Sequence, residues 1–224
     1  VDQQNVSTTE SATITVNSTE PETITLNSIG DTYVRSGKDN RNYGAGDFMR
    51  VQSSGSNRAV VKFDQNAIEA AVGQGTIISA KVRVTITDNG NNWGATGRTV
   101  DINRITSSWI EGNGTENDRG AGLGATWACA SDSIIENQSK NCTGTSEWEM
   151  GQPNNPSVHP WIETPTDTQN ITNNQTGVLE YDVTSDVQSF VANQNDNYGW
   201  LIRKTNEGQN GTVSFGTKES SYVP

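Results

Sequence analysis

Short runs in which apolar and polar side chains alternate, each cut off by a Gly- or Asn-rich turn, most limit what this chain can fold into. The clearest run is 81–87. There Val82, Val84 and Ile86 point one way and Lys81, Arg83, Thr85 and Thr87 the other, the pattern of a half-buried antiparallel strand. Strands are predicted over 31–35, 47–53, 58–64, 77–87, 98–106, 178–183, 198–204 and 212–217. Helical spacing is confined to two short stretches. Residues 66–72 carry Ala67, Ile68, Ala71 and Val72, and residues 185–193 open at a Thr184/Ser185 cap with Val187, Phe190 and Val191 in step. With 25 Asn and 22 Gly in 224 residues, turns outweigh helix formers, which excludes a helical bundle or a doubly wound α/β fold. The reading is all-β: a jelly-roll β-sandwich with two short helices.

Two regions depart from this rhythm. Residues 1–21 read as an N-terminal tail rich in Ser and Thr without Lys or Arg, ahead of one domain spanning 22–224. Within the tail, residues 12–16 alternate, placing Ala12, Ile14 and Val16 on one face as an extra N-terminal strand, and Ile24 and Leu26 alternate again after Pro21. Residues 112–176 show little periodicity. A stretch so long is expected to hold ordered loops, pinned by Trp127, Trp148, Trp161 and a disulfide.

The net charge of −11 argues against affinity for a nucleic-acid backbone, and no apolar run is long enough for a membrane span. Cys129 and Cys142 lie 13 residues apart in a polar segment, and the one histidine, His159, offers no zinc set with them. A disulfide in a secreted or cell-surface protein is expected; two buried thiols in a reducing compartment are the alternative. Eight sequons, at Asn5, Asn17, Asn113, Asn137, Asn141, Asn170, Asn174 and Asn210, are candidates for N-glycosylation. Composition alone would supply about five, so they show only that the modification is open to this chain.

Charge is unevenly spread. Residues 35–104 hold ten basic side chains against six acidic ones, while the remainder is strongly acidic. Arg35, Arg50, Lys62, Lys81 and Arg83 all fall on predicted strands. On a shared face they would grip an acidic polysaccharide, Arg offering bidentate contacts to carboxylate. On separate faces they are ordinary solvated or paired charges. Trp93, in the loop NGNNWGATG, is the expected exposed aromatic platform, whereas Trp109, Trp127 and Trp200 flank apolar strand residues and are expected in the core. The two Asn-Tyr-Gly strings, 42–44 and 197–199, read as turns with Gly at positive φ. No organic cofactor is called for. Acidic and amide oxygens in 39–47 and 88–92 make a structural calcium ion a candidate there, without the EF-hand spacing. No nucleophile elbow, Ser-His-Asp order or phosphate loop is present, so the chain is not expected to be an enzyme.

Eight strings then fall in order: DTYVRSG (31–37), NYG (42–44), RAVVKFD (58–64), WIEGNG (109–114), GATW (124–127), YDVTSDVQSFV (181–191), NYGWLIR (197–203) and VSFGTKES (213–220). Together they resemble the DNRLRE domains, or disaggregatase-related repeats, one branch of which is classed as alginate-binding carbohydrate-binding modules. The resemblance implies a secreted or surface β-sandwich that binds or builds without catalysis. It also implies a further apolar strand after the position of Pro224, where this chain reads Tyr222-Val223-Pro224. A sandwich one strand short needs a filler. The strand 12–16 of a neighbouring copy could insert head to tail and build a filament; the same segment could fold back; or the sequence could continue into the missing strand. The leading expectation is therefore a structural or adhesive fibre subunit partnered by copies of itself. The alternative is a carbohydrate-binding module for acidic polysaccharide.

Overall fold

A computed structural model describes residues 20–52, 56–143, 160–221 and 224. Among the described residues nine antiparallel strands follow in chain order: β1 (Gly30–Arg35), β2 (Phe48–Gln52), β3 (Asn57–Lys62), β4 (Lys81–Asn89), β5 (Arg98–Arg104), β6 (Asp167–Ile171), β7 (Gly177–Asp182), β8 (Trp200–Lys204) and β9 (Thr212–Gly216). Helix α1 (Gln65–Val72) links β3 to β4, and α2 (Thr184–Val191) links β7 to β8.

Pairing sorts the strands into two layers. One runs β1-β3-β8-β5-β6 and the other β2-β9-β4-β7, joined at the corner where Gln52 pairs with Asn57. The orders 3-8-5-6 and 2-9-4-7 are those of an eight-stranded jelly roll, with β1 added at the edge of β3. The all-β sandwich read from the sequence is thus the observed fold. All eight strands expected are present within a few residues, and so are both helices.

The layers are built differently. In β4, Val82, Val84 and Ile86 are buried while Lys81 and Arg83 are exposed, as the alternation requires. β1 and β3 are buried at five of six positions each, so alternation fades, because that layer is covered on both faces. Between the layers lies the main core, including Tyr33, Met49, Val84, Ile102, Tyr181, Trp200 and Phe215. On the far side of the first layer a second core joins Val34, Val60 and Leu201 to Ile105, Trp109, Ala125, Ala130 and Trp161 from the long connecting segment. Asn42 anchors that segment: its amide donates to the carbonyls of Glu111 (2.6 Å) and Ala125 (2.7 Å), and its Oδ1 accepts from Gly114 N (2.8 Å).

The helices seal one end. Ile68 of α1 and Val187 and Phe190 of α2 enter the core, with Phe190 5.5 Å from the Trp200 ring. Asp64 caps α1 by accepting from Ala67 N at 2.8 Å. The expected Thr184/Ser185 cap on α2 is corrected: Val183 holds that position without a side-chain bond. The Thr184 hydroxyl instead accepts from Ala80 N (2.9 Å), which starts β4 at Lys81 rather than at residue 77.

Three other expectations change. Residues 22–26 form no strand; Leu26 packs on the core, but Ile24 is exposed. β6 is additional, an edge strand in which Ile171 alone is an apolar residue turned to the core. With β6 counted, β2 to β9 fill both four-stranded sheets. Nothing among the described residues therefore supports the expectation of a strand donated by a neighbour. The donor residues Ala12, Ile14 and Val16 lie outside the described residues.

Both Asn-Tyr-Gly strings are turns of one kind, in which the Asn side chain accepts from the Gly amide: Asn42 from Gly44 (3.0 Å) and Asn197 from Gly199 (3.1 Å). Gly199 has the expected positive φ of 81°. Gly44 does not; a Cβ there would sit 2.3 Å from the Glu111 carbonyl oxygen, so close backbone approach explains it.

Candidate functional site

The outer face of the β2-β9-β4-β7 layer is where alternation leaves polar side chains in water. Met49, Val51, Val213, Phe215, Val84, Leu179 and Tyr181 take the inner positions. The outer positions then fall to Arg50 and Gln52 on β2, Thr212 and Ser214 on β9, Lys81, Arg83 and Thr85 on β4, and Val178, Glu180 and Asp182 on β7. A bulge between Ile86 and Asp88 also brings Asp88 alongside Ser214.

One carboxylate organises the β4–β7 half of this face. Glu180 Oε2 lies 2.8 Å from Lys81 Nζ and its Oε1 3.0 Å from Arg83 Nε. Glu180 and Lys81 hold each other charged: the ammonium lowers the pKa of the carboxyl, and the carboxylate raises that of the amine. The side chains of Lys81 and Arg83 remain 49% and 59% exposed, so water and salt screen these pairs. Beside them runs an open groove of about 580 Å³, lined by Lys81, Asp167, Gln169, Val178, Glu180 and Asp182 among others. At the other side of the face the Arg50 guanidinium lies over the Phe48 ring at 4.6 Å and 3.4 Å from Glu116.

Arg50, Lys81 and Arg83 thus share one face; the other two strand cations do not. Arg35 points between the layers at their rim, where its charge opposes the rise that burial imposes on the Tyr43 pKa. Lys62 lies on the far side of the molecule, 4.5 Å from the centre of the Trp109 ring, donating to the Trp109 carbonyl at 3.0 Å. Burial lowers its pKa.

Trp93 is corrected outright. It is 0% exposed and lies within the main core, so it offers no platform. Its loop folds inward because the polar residues make specific bonds: Trp93 N donates to Asn173 Oδ1, its Nε1 donates to Asn89 Oδ1 (both 2.9 Å), and Asn92 accepts from Thr212 N at 3.0 Å. Gly211 packs on the ring so closely that a Cβ would lie 2.7 Å away. Trp109 and Trp200 are buried as expected, and Trp127 is partly so.

Two features of the site escaped the sequence. Glu180 and the groove beside it depend on the β4–β7 register, which spans about a hundred residues of chain. Arg58, a strand cation like the others, is buried on the covered face between Trp127 (4.8 Å) and Trp161 (4.9 Å), with a bidentate pair to Glu207 at 2.7 and 2.8 Å. Both rest on contacts distant in sequence, and no local signal could have found them.

Cys129 and Cys142 form the expected disulfide, with Cα atoms 5.1 Å apart. Asn113, Asn170, Asn174 and Asn210 are exposed, while Asn137 donates to Asn141 at 2.8 Å and both are half-buried. Asn5 and Asn17 lie outside the described residues, as does His159. Neither loop considered for calcium gathers three carboxylates; the group that does so among the described residues is Asp31, Glu111 and Glu219. No helix among the described residues is long and apolar enough to cross a membrane.

Comparison with curated proteins gives no significant match. The model of carbohydrate-binding module family 96 matches residues 22–134. That span runs from the approach to β1, through β5, into the loops packed on the covered face, and so includes all five strand cations, Arg35, Arg50, Lys62, Lys81 and Arg83, on β1 to β4. It is half of the chain, and the chain belongs to carbohydrate-binding module family 96.

Proposed function

We propose that this protein is a noncatalytic module, secreted or held at a cell surface, that binds an acidic polysaccharide across the outer face of the β2-β9-β4-β7 layer. The observation that carries this is the exposed pair Lys81 and Arg83 beside an open groove. Glu180 engages Arg83 through Nε, and a guanidinium has five N–H donors, so further donors face a ligand carboxylate or hydroxyl. Glu180 and Asp182 supply acceptors for sugar hydroxyls on the same face. Among the described residues no aromatic ring is fully exposed, so the reading rests on the two cations and on hydrogen bonds, in a groove whose lining also holds the carboxylates of Asp167, Glu180 and Asp182. The disulfide supports the oxidising location.

Electrophoresis through gels containing a polyuronate tests the reading. Retardation relative to a neutral-polymer gel, weakened by salt and lost in the Lys81→Ala/Arg83→Ala variant, is expected. Equal migration of the unaltered protein in both gels would overturn it.

A further inference from the structure

At one end of the sandwich three segments converge: the start of β1, the loop after Trp109 and the chain just past β9. Each brings a carboxylate. Oxygens of Asp31, Glu111 and Glu219 all lie within 4.8 Å of one another.

Asp31 is the innermost. It is 0% exposed, and its Oδ2 accepts from the Ser28 hydroxyl (2.8 Å) and the Lys218 amide (3.0 Å). Its Oδ1 is buried with no hydrogen-bond donor among the described residues. Glu111 accepts from Asp31 N at 2.7 Å, and its other oxygen lies 3.0 Å from the Lys218 ammonium, which also pairs with Glu219. Lys218, and Lys62 acting on Glu111 from the covered face, set two ammonium groups against three carboxylates, which leaves a negative excess in a partly buried place. A buried acceptor without a donor also keeps its full desolvation cost.

We propose that Asp31, Glu111 and Glu219 bind a calcium ion that ties the start of β1 to the loop after Trp109 and to the segment following β9. The donors are all carboxylate oxygens, with no imidazole or thiolate, which selects a hard cation over zinc or copper. Oxygens within 4.8 Å of one another can reach one ion with bonds of about 2.3–2.6 Å and loose geometry, the habit of calcium. Second carboxylate oxygens and water complete the shell. Lys218 stands where the ion's charge would go. Its side chain is 28% exposed, and its flexible stem lets the ammonium swing into water as calcium enters.

That competition gives the cluster a signature a plain ion-pair network lacks. Calorimetric titration of the whole protein with calcium alone, free of polysaccharide, is the test. The unaltered protein is expected to bind in the sub-millimolar to millimolar range, about 10⁻⁴–10⁻³ M as in other extracellular modules. Glu219→Gln, an exposed position that should not disturb folding, is expected to weaken binding about tenfold or more, Asp31→Asn to abolish it, and Lys218→Met to tighten it severalfold. Absence of binding by both the unaltered protein and Lys218→Met at about 5 mM calcium overturns the proposal. So does binding unchanged by Glu219→Gln, or weakened by Lys218→Met. Because no sugar is present, the result stands apart from the polysaccharide reading.

Discussion

The two layers of the sandwich carry similar strand cations and treat them in opposite ways. On the covered layer, Arg58 is clamped by two tryptophans and Glu207, Lys62 lies on Trp109, and Arg203 stands 3.8 Å from a buried Asp101. On the open layer, Lys81 and Arg83 share one exposed carboxylate and face water. The difference arises in the connecting segment between β5 and β6, which lays Trp109, Ala125 and Trp161 over one layer and leaves the other bare at β4 and β7. Cations on the first layer are structural. Those on the second are paired but exposed, which is what the proposed binding role rests on.

Removing a clamped cation should therefore cost most. Arg58→Ala leaves Glu207 without its bidentate partner and two indole faces without their cover; about 3–5 kcal/mol is expected, read as a fall in the denaturant midpoint. A loss below about 1 kcal/mol would mean that the covered face is not held by this stack. Next comes the cover itself. Cys129→Ser/Cys142→Ser releases a short loop and is expected to cost about 3 kcal/mol on the chain-entropy model, with binding to the open face retained.

At the other end of the β1–β3 ladder from the corner that joins the layers, Asp31 makes a pH-dependent contribution. Its pKa is about 6 in the fold against 3.8 for the free group, so the fold favours its protonated form. The stabilisation from protonation is fully present below about pH 4 and is lost as pH rises through about 6; two units correspond to at most about 3 kcal/mol. In chelator, the stability of Asp31→Asn relative to the unaltered protein should rise between about pH 4 and 6 and then level off. A difference constant across that range would contradict the burial argument. The smallest effect on stability belongs to the open face: Lys81→Ala/Arg83→Ala should change it by less than about 0.5 kcal/mol, since exposed pairs contribute little.

Much of this fold is legible in the sequence, because alternation is local. β4 announces itself through Val82, Val84 and Ile86, and the paired cysteines announce their bond. β6 does not, since of Asp167, Gln169 and Ile171, which turn inward, only the last is apolar. The site was legible in part. Alternation marks Lys81 and Arg83 as outward strand residues and places Arg50 on a strand, but which layer is covered depends on a segment with no periodicity. Hence Lys62 and Arg35 were grouped with them although the fold parts them. Trp93 misled for a related reason: its flanking asparagines signal a solvated turn, yet they bond to Asn173 and Thr212 and carry the indole inside. The asparagines that suggested exposure produced burial.

The central claim is that the open layer binds and the covered layer only folds. Its most direct test is the affinity of a soluble polyuronate for the unaltered protein and for Lys81→Ala/Arg83→Ala, with unfolding midpoints measured on the same samples. The account predicts affinity at least about tenfold weaker in the double variant at an unchanged midpoint, the loss of about 1.4 kcal/mol or more of binding. Undiminished affinity in the double variant would contradict it.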